Sequence, residues 1–208
     1  MPSSPTDTKE QILNVAERLF AERGFSGTTL RNVVSEASVN LAAVHYHFGS
    51  KEELFRAVVR RFARPIAEQE LRLLAELKMR SAQPSVEEIL TALCKPSLEI
   101  LTQDQDHRLI QAQAQFIGRC RTEPEPIQSI ANEEWAAVEA AFLDALQRVL
   151  PEQSRSQLSW KFDLVIAALI RVLTEAGKPH GLFTSNKPED IHVTTQQLVN
   201  FLSPGMRS

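Results

Sequence analysis

"NLAAVHYHFGSKEEL", residues 40–54, places two helix starts and three adjacent ring-bearing polar side chains within fifteen positions. Asn40 is a favourable N-cap, because its side-chain oxygen can accept a backbone amide that the first helical turn leaves unbonded. A helix of less than two turns is therefore expected from Leu41 to about His47. "GSKEEL" then interrupts it. Ser50 and Glu53 have the S-x-x-E spacing of a capping box, so the next helix should begin at Lys51.

Upstream, Ile12, Val15, Ala16 and Leu19 recur at i, i+3, i+4 and i+7 and mark a helix over about 8–23. Gly24 followed by apolar Phe25 is the pattern of a helix stop. Thr28 or Thr29 can cap a second short helix over about 30–37, with Leu30, Val33, Val34 and Ala37 inward. "SVN" makes the turn into the third. Two short helices joined by a turn of about three residues outline a helix-turn-helix, whose second helix enters the DNA major groove.

The residue types suit that task. Small Ala42 and Ala43 permit close approach and apolar contact with a thymine methyl, while Asn40, His45 and Tyr46 can donate to phosphates or base edges. Lys51 and the free amides opening the fourth helix make an anion site. The plainer alternative is that any helical protein contains short helices and that Tyr46 belongs to its core. A metal site is not expected, since His45 and His47 diverge by about 200° on a helix and no third ligand is suitably spaced. No cofactor is expected either.

"QILNVAERLFAERGFSGTTLRNVVSEASVNLAAVHYHFGSKEELFRAV", residues 11–58, closely resembles the DNA-binding domain of the TetR family of bacterial repressors. The resemblance implies that Thr28, Thr29 and Arg31 touch the DNA backbone, that Asn40, Ala42, Ala43, His45 and Tyr46 face the groove or its edge, and that Lys51 meets a phosphate. His47 and Phe48 would pack beneath the recognition helix. It also implies a homodimer on a palindromic operator and a small-molecule effector bound by the remainder of the chain. Three positions depart from the usual pattern: Ser38 stands where glycine is common, Leu41 where a polar or basic residue is frequent, and His45 where tyrosine is usual.

The fourth helix carries Leu54, Phe55, Val58, Val59 and Phe62 to Pro65, which removes the amide that would bond the Arg61 carbonyl, so a kink is expected before helix resumes to about Arg80. A capping box, Ser85 to Glu88, opens the next helix, interrupted at Pro96. "DHRLIQAQAQFIGRC", residues 106–120, reads as another, then a long helix to Pro151, one over about 155–176 with hardly any polar face, and a final one opened by Pro188. This gives an all-α fold of about nine helices. Residues 1–50 are assigned to a helix-turn-helix domain and 51–208 to a helical effector-binding and dimerisation domain. That larger part loosely resembles a subgroup with fatty-acid-responsive and other stress-responsive members.

The helix over 155–176 is apolar beyond what one core needs, so Phe142, Leu146, Val165, Leu169 and Leu173 are candidate dimer contacts. Phe62, Phe116, Cys120, Trp135, Phe142 and Phe162 read either as the lining of a pocket for a small, mostly apolar ligand or as ordinary core. His107 or Arg119 would anchor such a ligand.

The net charge of −3 does not advertise a nucleic-acid partner, but residues 1–64 carry +2 and the remainder −5. Arg56, Arg60, Arg61 and Arg64 cluster on the fourth helix. No apolar stretch is long enough to span a bilayer and the N-terminus lacks a signal sequence, so a cytoplasmic protein is expected. Two distant cysteines argue against a disulfide framework. With no phosphate-cradling glycine loop, metal set or spaced nucleophile and base, an enzyme is not expected. The remaining alternative is a DNA-binding helical protein without an effector.

Overall fold

Apolar stripes and explicit caps set the first helices of the computed structural model, which describes residues 5–81, 83–103, 116, 120, 124–175 and 188–208. α1 (Pro5–Gly27) buries Ile12, Ala16, Leu19 and Phe20. Its geometry breaks at Gly24 (φ 70°), where the glycine stop was expected, and the chain makes one further turn. α2 (Leu30–Glu36) is capped by Thr29, whose Oγ1 accepts the Asn32 amide at 3.1 Å while Asn32 Oδ1 accepts the Thr29 amide at 3.1 Å. α3 (Leu41–Phe48) is capped by Asn40, whose Oδ1 accepts the Ala43 amide at 2.8 Å.

The turn between α2 and α3 carries a conformational cost. Ser38 has φ 51°, in the left-handed region that a side chain disfavours. Ser38→Gly is expected to stabilise the protein by about 0.5–1 kcal/mol, because relief of that crowding exceeds glycine's added unfolded-state entropy. Urea unfolding of the two proteins measures it, and equal midpoints would contradict it.

α4 (Lys51–Arg80) is continuous and holds Pro65 inside it. Ser50 Oγ accepts the Glu53 amide at 3.1 Å, which is half of the expected capping box; the Glu53 carboxylate pairs with Arg56 at 3.5 Å. Two compact units meet along the chain at this proline: Met1–Arg64 with Gln115–Glu134, and Pro65–Ala114 with Trp135–Ser208. The first unit therefore extends beyond residue 50, the boundary expected. Its three small helices cannot close a core alone, and Leu54, Phe55, Val58 and Val59 of α4 complete it.

The second unit contains the rest of α4, α5 (Val86–Gln103), most of α6 (Ile127–Val149), α7 (Arg155–Glu175) and α8 (Pro188–Arg207). Ser85 and Glu88 form the full capping box at α5, and Ser154 with Gln157 forms a second one at α7 that the sequence reading missed. α5 packs most extensively on α8. The buried stripe of α8 is Ile191, Thr195, Val199, Ser203 and Met206, with Leu198 and Leu202 only half-buried. Thr195 and Ser203 are tolerated there because each hydroxyl donates to the carbonyl four residues back, at 2.8 Å.

Eight helices and no strand occur among the described residues. The helix expected over 106–120 lies outside them apart from Phe116 and Cys120, both helical and buried.

The candidate dimer contacts require correction. Phe142, Leu146, Val165, Leu169 and Leu173 are all buried in the second unit's own core, so none is available to a partner. The exposed apolar residues of α7 are instead Trp160, at 63%, Leu164 and Ala167, one turn apart in succession; α8 adds Val193 and Phe201, the latter 79% exposed.

Candidate nucleic-acid interface

The helix-turn-helix rests on an aromatic core. Phe20 and Phe25 stack at 6.0 Å between centroids, Phe55 meets both edge-on at 5.1 and 5.4 Å, and Phe116 lies 5.5 Å from Phe55. Such pairs add directional preference to the area they bury. α3 docks on this core through Val44 and Phe48, and His47 is half-buried between Tyr46 and Phe48, as expected of residues beneath a recognition helix.

The opposite side of α3 faces outward. Asn40, Ala42 and His45 are exposed, Ala43 is partly so, and Tyr46 is 82% exposed, which removes the alternative that it belongs to the core. Arg31 and Thr29 are exposed at the start of α2. Thr28 is different. It is fully buried, its hydroxyl donating to the carbonyls of Leu19 and Gly24 at 3.0 and 2.9 Å, so it positions the start of α2 and has no side-chain atom to offer DNA.

His45 has a defined ring orientation. Its Nδ1 lies 2.8 Å from the Gly49 carbonyl, and because a carbonyl only accepts, Nδ1 carries the proton. In the neutral ring Nε2 is then an acceptor; only protonation makes it a second donor. Gly49 supplies this carbonyl from a positive-φ conformation (79°) that ends α3. Lys51, half-buried at the start of α4, holds its Nζ 4.0 Å above the Phe25 ring, a cation–π contact that orients its side chain.

The arginine cluster of α4 serves the unit itself. Arg60 makes a two-pronged pair with Glu134, at 2.9 and 3.2 Å, and Arg56 bonds Glu133. Arg61 donates to Asn14 at 2.7 Å and lies 3.8 Å from Glu17. On the other side, Arg18 and Arg23 share Glu36, tying α1 to α2. None of these partners was foreseen, since they join residues up to 77 positions apart.

The candidate pocket residues divide between the units. Phe116 and Cys120 are buried with the first, Phe116 against Phe55, and so belong to the core beneath the helix-turn-helix rather than to a separate pocket. Phe62 of the first unit and Trp135 of the second are half-buried; Phe142 and Phe162 are buried in the second. His107 and Arg119 lie outside the described residues. Among the described residues no cluster of His, Cys, Asp or Glu is suited to a metal ion.

The family model for bacterial regulatory proteins of the tetR family matches residues 12–58, and that for the tetracyclin repressor-like C-terminal domain matches residues 91–205, more than half of the chain. The chain belongs to the TetR family. Among curated relatives, the transcriptional dual regulator CecR of Shigella flexneri is 32% identical over 133 residues, covering 61% of this chain and 56% of CecR. The repressor BepR of Brucella suis is 24% identical over 206 residues, covering 97% and 93%. The repressor AcnR of Corynebacterium glutamicum is 41% identical over 64 residues, 31% of this chain and 34% of AcnR. The chain thus spans about half the length of CecR and a third of AcnR.

Solved structures share the fold. The fatty acid degradation regulator FadR of Bacillus halodurans superposes with a TM-score of 0.67 at 15% identity, covering 100% of this chain and 99% of its own. AibR, solved with isovaleryl coenzyme A and operator DNA, gives 0.65 at 16% identity, covering 95% and 98%. The relatives that this TetR-family chain resembles are helix-turn-helix transcriptional regulators. No described helix is long and apolar enough to cross a membrane.

Proposed function

We propose that this regulator is a cytoplasmic homodimeric repressor that grips a palindromic operator through α3 and releases it when a small, mostly apolar molecule binds its second unit. The observation that carries the DNA half of this reading is the outward face of α3. Ala42 and Ala43 let the helix backbone approach the groove floor, Asn40, His45 and Tyr46 supply polar contacts around them, and Thr29, Arg31 and Lys51 flank them toward the phosphates. The dimer half of the reading is supported by the exposed apolar residues of α7 and α8, which a second copy would cover. The effector half is supported by kinship: AibR was solved with an acyl coenzyme A, and EbrR, a multidrug binding protein, with malachite green.

Selection from a random duplex library tests the reading. The expected product is an inverted repeat whose half-sites lie one helical turn, about 34 Å, or a multiple of it apart. Recovery of no sequence preference, or of an unpaired half-site alone, would overturn it.

The ring orientation of His45 adds a testable contact. With Nδ1 on the Gly49 carbonyl, Nε2 is the ring nitrogen left to meet the DNA. His45→Ala should weaken binding of the selected operator about three- to tenfold, the loss of one hydrogen bond; unchanged affinity in the variant would remove His45 from the DNA contacts.

A further inference from the structure

α4 carries a carboxyl that the described residues leave half-satisfied. Glu70 is 3% exposed; Ser97 of α5 donates to its Oε1 at 3.2 Å, and Oε2 is buried without a hydrogen-bond partner. Burying such an atom unpaired is unfavourable, and folded proteins rarely tolerate it without a use. The surroundings are apolar. Ile66 and Leu74 stand one turn to either side on α4 and are buried, as are Leu93 and Cys94 one turn before Ser97 on α5. Neighbouring polar side chains are engaged with one another: Gln69 donates to Glu99 at 3.1 Å and Lys95 lies 3.6 Å from the same carboxylate. The titratable group facing Glu70 from α5 is the Cys94 thiol, which burial, and then the charge of Glu70, push up to about 12, so it stays neutral.

We propose that Glu70 is the polar anchor of an effector site in the second unit and that its ligand is an organic cation, an ammonium nitrogen carried on an apolar body. This rests on the effector-released reading above and specifies the chemistry of the ligand. Ser97 already provides one donor to the carboxyl. What the carboxylate form lacks is a second donor and a compensating positive charge, and an N–H of an ammonium group supplies both. A neutral hydroxyl would supply the donor alone, and a carboxylate would supply neither.

Proton balance follows from the burial. Desolvation pushes the Glu70 carboxyl up to about 8, only partly countered by Ser97, so near pH 7 it is mostly protonated. When an ammonium ligand docks, the carboxyl loses its proton to solvent and the resulting carboxylate pairs with the ligand cation, which keeps its own protons. Binding should therefore release close to one proton at pH 7 and tighten as pH rises from 6 to 8.

The test uses the full-length protein and three probes with one apolar body: 4-phenylbutylamine, 4-phenylbutanol and 4-phenylbutanoate. Calorimetric titration at pH 7 in two buffers of different ionisation enthalpy reads affinity and proton release together. The amine should bind at least about tenfold more tightly than the alcohol or the acid, with proton release. Glu70→Gln, of nearly the same shape, should abolish both the preference and the release, and Ser97→Ala should change the amount of proton released.

Amine affinity no greater than that of the alcohol, absence of proton release from the parent protein, or an unchanged amine preference in folded Glu70→Gln would each overturn the proposal. Operator release is read separately by mobility shift. Glu70-dependent amine binding that leaves the operator complex intact counts against the release mechanism and supports the site. Release by the alcohol or acid with no dependence on Glu70 does the reverse.

Discussion

Trp160→Asp is expected to split the proposed homodimer and, with it, to abolish tight binding of a two-half-site operator. Trp160 is 63% exposed on α7, in line with Leu164 and Ala167, and a two-fold interface uses each residue twice. An aromatic anchor buried at the centre of an interface contributes about 2 kcal/mol or more, so two of them account for a change of about a thousandfold in dimer dissociation. Sedimentation velocity at micromolar protein should show a monomer, and operator affinity should fall by about a hundredfold or more, because one half-site must then be held alone. Leu169→Ala provides the contrast: its side chain is in the core, so it should lower unfolding stability by about 2–5 kcal/mol. A Trp160→Asp protein that remains a dimer would place the interface elsewhere.

Stability should fall as the solution becomes alkaline, and Glu70 should account for it. Its carboxyl is raised to about 8 by burial from an ordinary value of 4.5. The folded state therefore holds a proton that the unfolded chain releases, and the sign follows. The group's contribution to stability is fully present below about pH 4.5 and is lost progressively as pH rises toward 8. Between pH 5.5 and 8.5 the loss should be about 3 kcal/mol, a large share of the 5–15 kcal/mol typical of a folded protein. Urea unfolding of the parent and of Glu70→Gln at both pH values isolates it. The difference between the two proteins should shift by that amount in favour of the variant at pH 8.5, and a constant difference would show that Glu70 ionises as readily in the folded protein as in the unfolded chain.

The local signals of residues 1–54 were legible because each is a short-range event. Asn40 caps α3, Gly24 breaks α1, and the Ala42, His45 and Tyr46 face is exposed, all within a few residues of the features that announce them. Thr28 and Thr29 show where that logic stops. Adjacent threonines are equivalent caps by type; the fold sends the Thr28 hydroxyl inward to the Leu19 carbonyl and leaves Thr29 to cap. The arginines of α4 stand in the sequence as a cluster on one helix, and Glu133 and Glu134, the partners of Arg56 and Arg60, lie more than seventy residues away. No periodicity reports such a pairing.

Sequence alone determined that this protein is helical throughout its legible segments, where α2 and α3 start and stop, and which residue types α3 carries for the proposed approach to a nucleic acid. Those properties depend on backbone amides, caps and side-chain spacing within a few turns. Tertiary structure decided the rest. A helix as uniformly apolar as α7 does not say which arc meets its own core, and packing turned Val165, Leu169 and Leu173 inward and Trp160 and Leu164 outward. Burial likewise turned Glu70, one of many helical glutamates in the sequence, into a carboxyl short of one partner, because the cost of removing charge from water depends on where the chain places it and not on which residue it is.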